Sequence, residues 1–236
     1  MGLWTVLAGA FKLRAFAFVG LLRAPYSCGT LALLIDLDGT LIDSEPWHKR
    51  SEIETFARWG VRLSEEDLLP FTGTTLPYML ERIEERFGIL IEPDEFMEAQ
   101  MPVFRGYIER EVGLFPDAER FVMRLKSRTA AIVTSAMPWY VEAVFARHPI
   151  LRDSFSVVVD QGDIENGKPD PEPFLVAASR LGRRPSDCLA VEDSVNGVRS
   201  ARAAGCRVTG VDREEHGRLA EADEVVSSLD EIRDLG

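Results

Sequence analysis

From residue 113 onward the chain alternates short apolar runs with amphipathic stretches, and this alternation limits the possible folds more than any other feature. Residues 129–134, 155–159, 188–191, 207–211 and 224–226 read as strands, and 117–126, 138–147, 171–181 and 195–204 as the helices between them. Ser194 and Gly205 supply a start and a stop for the last helix. Strands that succeed one another through helices run parallel, so the series implies an α/β, Rossmann-like parallel sheet covered by helices on both faces. An earlier run, Leu31-Ala32-Leu33-Leu34-Ile35, has the same fully apolar character and belongs to that sheet.

Between this first strand and the alternating series lies a stretch with helical grammar only. Leu76, Met79, Leu80, Ile83 and Phe87 form one stripe, and Ile53, Phe56 and Ala57 another. Ser64-Glu65-Glu66-Asp67 has the form of a capped helix start. Phe96, Phe104 and Ile108 mark a fourth helical region, which Pro102 is expected to kink or divide. The predicted organisation is a core domain of residues 31–44 and 113–236, interrupted by a helical-bundle cap domain at 45–112. Residues 1–30 read as an N-terminal extension, because Lys12, Arg14 and Arg23 break its apolar runs well short of the ~20 residues a membrane span needs. No small-residue cleavage site follows them.

Composition removes several functions. A net charge of -12 opposes binding to nucleic acid or to an anionic membrane. Cys28, Cys188 and Cys206 are odd in number and lack metal or redox spacing, which suggests free thiols in a cytoplasmic, reducing compartment. The chain reads as a monomer or weak dimer that meets a small molecule, with neither nucleic acid nor membrane as a partner.

The ends of the strands carry the chemistry, since an open parallel sheet binds ligands beyond its carboxyl edge. The first strand runs into Asp36-Leu37-Asp38-Gly39-Thr40. Positions i and i+2 of an extended chain share a face, so the two carboxylates share a site that calls for a cation or a shared proton. The second ends in Thr134-Ser135, the loop after the third holds Lys168, and the fourth ends in Glu192-Asp193. Singly, each has an ordinary role: a turn, a helix cap, a solvated charge. Together they offer a hard divalent cation, Mg2+ above all, a set of oxygen ligands that bridges to phosphate.

Asp36-Leu37-Asp38-Gly39-Thr40, Thr134-Ser135, Lys168-Pro169 and Val191-Glu192-Asp193-Ser194 resemble the four motifs of the haloacid dehalogenase superfamily. The likeness runs from Leu31 to the C-terminus. Leu41-Ile42-Asp43-Ser44-Glu45-Pro46 and the helical insert are similar to the branch holding β-phosphoglucomutase and sugar-phosphate phosphatases. The resemblance implies Asp36 as nucleophile, forming an aspartyl-phosphate, and Asp38 as acid and then base. It implies Mg2+ on Asp36, the backbone of Asp38, and Asp193, with Glu192 close by. Thr134, Ser135, Lys168 and the backbone at Gly39 are implied to bind phosphoryl oxygens. Asp38 excludes the superfamily's dehalogenases, whose departing halide needs no proton. Lys49, the lone lysine of the insert, does not match the Schiff-base lysine of phosphonatases.

The expected function is a Mg2+-dependent phosphatase of a small phosphorylated metabolite, a sugar phosphate foremost. Two other readings are a phosphomutase of the β-phosphoglucomutase type and a catalytically silent binder of phosphometabolites. Glu45, His48 and Thr74 are the expected specificity residues of the cap, with Trp47 and Trp59 in its core.

Overall fold

The computed structural model describes residues 30–71, 74–125, 128–214 and 216–233. The expectation for the N-terminal extension, Cys28 included, therefore lies outside the described residues, as do Thr72 and Gly73. No helix among the described residues is long and apolar enough to cross a membrane.

Strand β1 (Ala32–Ile35) is buried on both faces, as its sequence demands. It leads into a two-residue strand, β2 (Ile42–Asp43), and then into helices α1 (Glu45–Ala57), α2 (Glu65–Leu68), α3 (Leu76–Phe87) and α4 (Pro93–Arg110). A second short strand, β3 (Gly113–Leu114), returns the chain and pairs antiparallel with β2. From there α5 (Pro116–Leu125), β4 (Ala130–Val133), α6 (Pro138–Arg147), α7 (Pro149–Ser154) and β5 (Val157–Val159) alternate. Helix α8 (Glu172–Arg180), β6 (Cys188–Glu192), α9 (Val195–Ala204), β7 (Arg207–Val211) and β8 (Glu224–Val226) complete the series.

The main sheet is parallel with the order β5-β4-β1-β6-β7-β8. Strand β1 is central because the chain builds outward from it in one direction and then crosses to build in the other. That reversal is where a ligand crevice opens in such sheets. Side chains of β1 alternate between the two cores: Leu33 and Ile35 join one, Ala32 and Leu34 the other. A third apolar cluster, centred on Phe56, Leu80, Ile83 and Phe96, lies within the helices between β2 and β3. Phe56 and Phe96 meet there with ring centroids 4.6 Å apart.

Helix caps follow their sequence signals. Ser64 and Asp67 form a reciprocal capping box, Ser194 accepts from the Gly197 amide, and Gly205 ends α9 at φ 89°. Three local features differ from expectation. Helix α4 runs unbroken through Pro102, because its packing against α1 outweighs the missing hydrogen bond. The β2–β3 ribbon and α7 are too short to leave a periodic signal.

Candidate active site

Asp36 stands at the carboxyl end of β1, buried at 6% exposure, its amide fixed to the Val191 carbonyl at 2.9 Å. Lys168 reaches it from the loop between β5 and α8. The ammonium donates to Asp36 Oδ1 at 2.6 Å, to Glu192 Oε1 at 2.5 Å and to the Val133 carbonyl at 2.9 Å. Its three protons thus all have protein acceptors, and a direct phosphate contact requires one of them to be released. Burial opposes the charge on Lys168, yet Asp36 and Glu192 outweigh burial and hold its pKa above the usual lysine range.

Two glycines make the crowding possible. At Gly39, with φ 73°, an added Cβ would lie 2.0 Å from Asp193 Oδ2. At Gly197 it would lie 1.9 Å from the carboxyl carbon of Glu192. The second oxygen of Glu192 accepts from the hydroxyl and amide of Ser194. The expected role of Gly39 as a phosphate donor needs correction. Its N–H is already given to the Ile42 carbonyl at 2.9 Å, because the turn closes on itself there. The amides of Leu37 and Asp38 have no hydrogen-bond partner among the described residues and are the available donors.

Asp38 accepts a short hydrogen bond from the Tyr140 hydroxyl. Burial, with the Asp36 charge adding, pushes its carboxyl up to about 6, although the Tyr140 bond works in the opposite direction. Thr134 is buried at the end of β4, its Oγ1 accepting from the Ala136 amide, so its own proton remains available. Ser135 is exposed beside it.

Sequence reasoning missed Tyr140 and Arg213. Tyr140 sits in the first turn of a helix that follows a strand end, and its position is the only signal it leaves. Arg213, beyond β7, donates to the carbonyls of Gly39 and Thr40 and to Asp117 Oδ2, at 3.2, 2.8 and 2.8 Å. Its guanidinium lies over Phe115, 3.8 Å from the ring centroid. Asp117 Oδ2 also accepts from Ser228 and the Leu229 amide, tying the Asp36–Thr40 turn to the C-terminal segment.

A cleft of about 660 Å3 separates the helical block from the strand ends. Asp38 and Ser135 line it from the sheet side, and Glu45, His48 and Thr74 line it from the helical side. Glu45 is paired with Lys49 at 3.2 Å, and His48 stacks on Phe104 at 4.1 Å. Thr74 donates its hydroxyl to the Phe71 carbonyl at 2.7 Å. Glu52, not anticipated, joins them; burial and then Glu45 push its carboxyl up to about 7. Trp47 and Trp59 are partly buried against the apolar clusters.

Carboxylate oxygens of Asp36, Glu192 and Asp193 lie within 4.8 Å of one another. Burial first, with the Asp36 charge adding, raises both Glu192 and Asp193 above the ordinary carboxylate range, and Lys168 is the cation opposing it. Two of the three acids, Asp36 and Glu192, contact the Lys168 ammonium, and all the metal-facing atoms are hard oxygens. That set fits a hard divalent cation.

The chain belongs to the haloacid dehalogenase-like hydrolase family, whose model matches residues 30–205. A bifunctional riboflavin kinase/FMN phosphatase of Arabidopsis thaliana is 32% identical over 206 residues, covering 85% of this chain. The chain spans 54%, about half, of that relative's length. Hexitol phosphatase B of Escherichia coli K12 is 30% identical over 213 residues, with 86% of this chain and 94% of the relative covered. Among solved structures, a family hydrolase from Deinococcus radiodurans R1 with bound phosphate and sodium superposes with a TM-score of 0.71. It is 25% identical and covers 86% of this chain and 93% of its own.

Proposed function

We propose that this protein is a Mg2+-dependent phosphatase that acts on a small phosphorylated metabolite of the sugar- or polyol-phosphate class through an aspartyl-phosphate on Asp36. One observation carries the proposal: a buried carboxylate held by Lys168 at the end of the central strand, beside a second carboxylate facing the cleft. Lys168 occupies Asp36 Oδ1, leaving Oδ2 to attack phosphorus. As the Asp36–phosphorus bond forms, the bond to the alcohol oxygen breaks and Asp38 gives that oxygen its proton. Water then attacks the phosphorus, passes a proton to Asp38 and frees inorganic phosphate, restoring Asp36. A carboxyl raised to about 6 suits both duties near neutral pH.

Thr134, Ser135 and the amides of Leu37 and Asp38 supply donors for phosphoryl oxygens. Lys168 acts chiefly by fixing and neutralising Asp36 and Glu192. Asp36, Asp193 and the backbone of Asp38 would hold Mg2+, with Glu192 adjoining. When bound, the ion contributes positive charge that draws in the phosphoryl group and offsets the crowded acids. The FMN and hexitol phosphatases named above support this class of reaction, and the free, buried Cys188 and Cys206 suit a cytoplasmic setting.

Charge in the cleft speaks against the mutase. A mutase must hold a second phosphoryl group where the leaving group sits. Among the described lining residues Lys49 is the one lysine or arginine, and it is paired with Glu45 beside Glu52. A second anion there would meet net negative charge.

Phosphate release should be measured over a panel of sugar and polyol phosphates, with Mg2+ or with a chelator, for the native protein and Asp36→Asn. We expect release that needs both Mg2+ and Asp36. Conversion of glucose 1-phosphate to glucose 6-phosphate without phosphate release would favour the mutase. Tight binding without turnover would favour the silent binder.

A further inference from the structure

Four of the chain's six methionines, Met79, Met97, Met101 and Met137, line the one cleft above Asp38. Met97 and Met101 lie one turn apart on α4, and Phe104 follows them on the same face toward the cleft. Met137 and Trp139 face them from the loop and first turn after β4. Met97 and Met137 are 43% and 44% exposed, so large apolar surface stands open on both walls at once. Thioethers and aromatic rings make favourable contacts with flat, polarisable groups. A bare triose or hexose offers such walls little apolar area to cover. The cleft's volume, about 660 Å3, lies in the range, ~300–1,000 Å3, that encloses drug-sized molecules. Its single lysine is already paired, so the occupant brings no second anion.

We infer that the alcohol half of the substrate carries a flat, uncharged ring system, which the methionine-lined walls clasp while the phosphoryl group meets Asp36. The inference rests on the phosphatase reading and adds the class of leaving group to it. Ribitol 5-phosphate and FMN make a matched pair of probes, since both present a phosphorylated ribityl chain and only FMN bears a flat ring. With the full chain and Mg2+, kcat/KM for phosphate release should be at least tenfold higher for FMN. Met97→Ala and Met137→Ala, on opposite walls and exposed enough to leave folding intact, should each lower that ratio several-fold.

Parity of the two probes, or a ratio that neither substitution changes, overturns the inference. So does release from hexose phosphates but not from FMN, and that result leaves the phosphatase reading standing. If instead the two probes are equal and Met97→Ala alters sedimentation, a second copy of the chain covers the walls and the inference falls. Release from no phosphate monoester at all overturns the phosphatase reading beneath it.

Discussion

Lys168 and Asp38 divide the electrostatic work at the residue scale. Lys168 holds Asp36 in place by donating to Oδ1, while Asp38 sits where burial favours its proton. Asp38→Asn removes that proton, and kcat for an alkyl phosphate should fall by roughly 10²–10⁴-fold. With 4-nitrophenyl phosphate, whose leaving group needs little protonation, the same variant should give a burst of nitrophenolate and then near-arrest. Stopped-flow absorbance tests this, and a steady rate equal to the native one would contradict the role. Gly197→Ala drives a methyl group into the Glu192 carboxylate and strands Lys168. Urea unfolding should report a loss of about 3–5 kcal/mol, whereas a loss below about 1 kcal/mol would mean that the pair re-forms elsewhere. The acids and Thr134 were legible because they stand where apolar strand runs end, and Lys168 in its loop was legible through its place in the motif set. Tyr140 and Arg213 were not legible, since they reach the site from a helix turn and a distant loop that carry no motif.

At the scale of elements, the Asp36–Thr40 turn is held by a clamp made of Arg213, Asp117 and the segment around Leu229. Burial works against ionisation of Asp117, but hydrogen bonds from Arg213, Ser228 and the Leu229 amide hold its carboxyl below the usual range. A depressed folded-state pKa stabilises the fold above the unfolded value, ~3.9, and that stability is lost as pH falls through the folded value. Arg213→Met should therefore move the acid-unfolding midpoint to higher pH, read by circular dichroism. An unmoved or lower midpoint would discount the clamp. Helix α4 offers a second test, because it carries Pro102 through an unbroken span. Pro102→Ala restores the absent N–H and should stabilise the protein by roughly 1–3 kcal/mol in thermal melts. No gain, or a loss, would mean that the proline is matched to a bend the packing requires. The sequence pointed to a kink or a division at Pro102, and local propensity is blind to the α1 contact that keeps the helix in one span.

For the whole molecule, the order of the sheet explains why residues far apart in sequence meet. Central β1 lies between β4 and β6, so Asp36, Thr134 and Glu192 end neighbouring strands. Alternating strands and helices made the parallel sheet legible from sequence, and the seamless helical stretch after Asp43 made the inserted block legible. The shape and lining of the cleft were not legible, because they depend on how α3 and α4 face the loop after β4. The candidate acids thus stand at the sheet edge, and the helices after β2 supply one wall of the cleft above them. The central claim is that phosphate passes through Asp36. Acid-quenching the full chain during turnover, reducing any acyl phosphate with borohydride and mapping peptides by mass spectrometry tests it most directly. Homoserine is expected at position 36, formed only when both substrate and Mg2+ are present. Sustained phosphate release with position 36 left as unmodified aspartate, or with the label at another carboxylate, would contradict it.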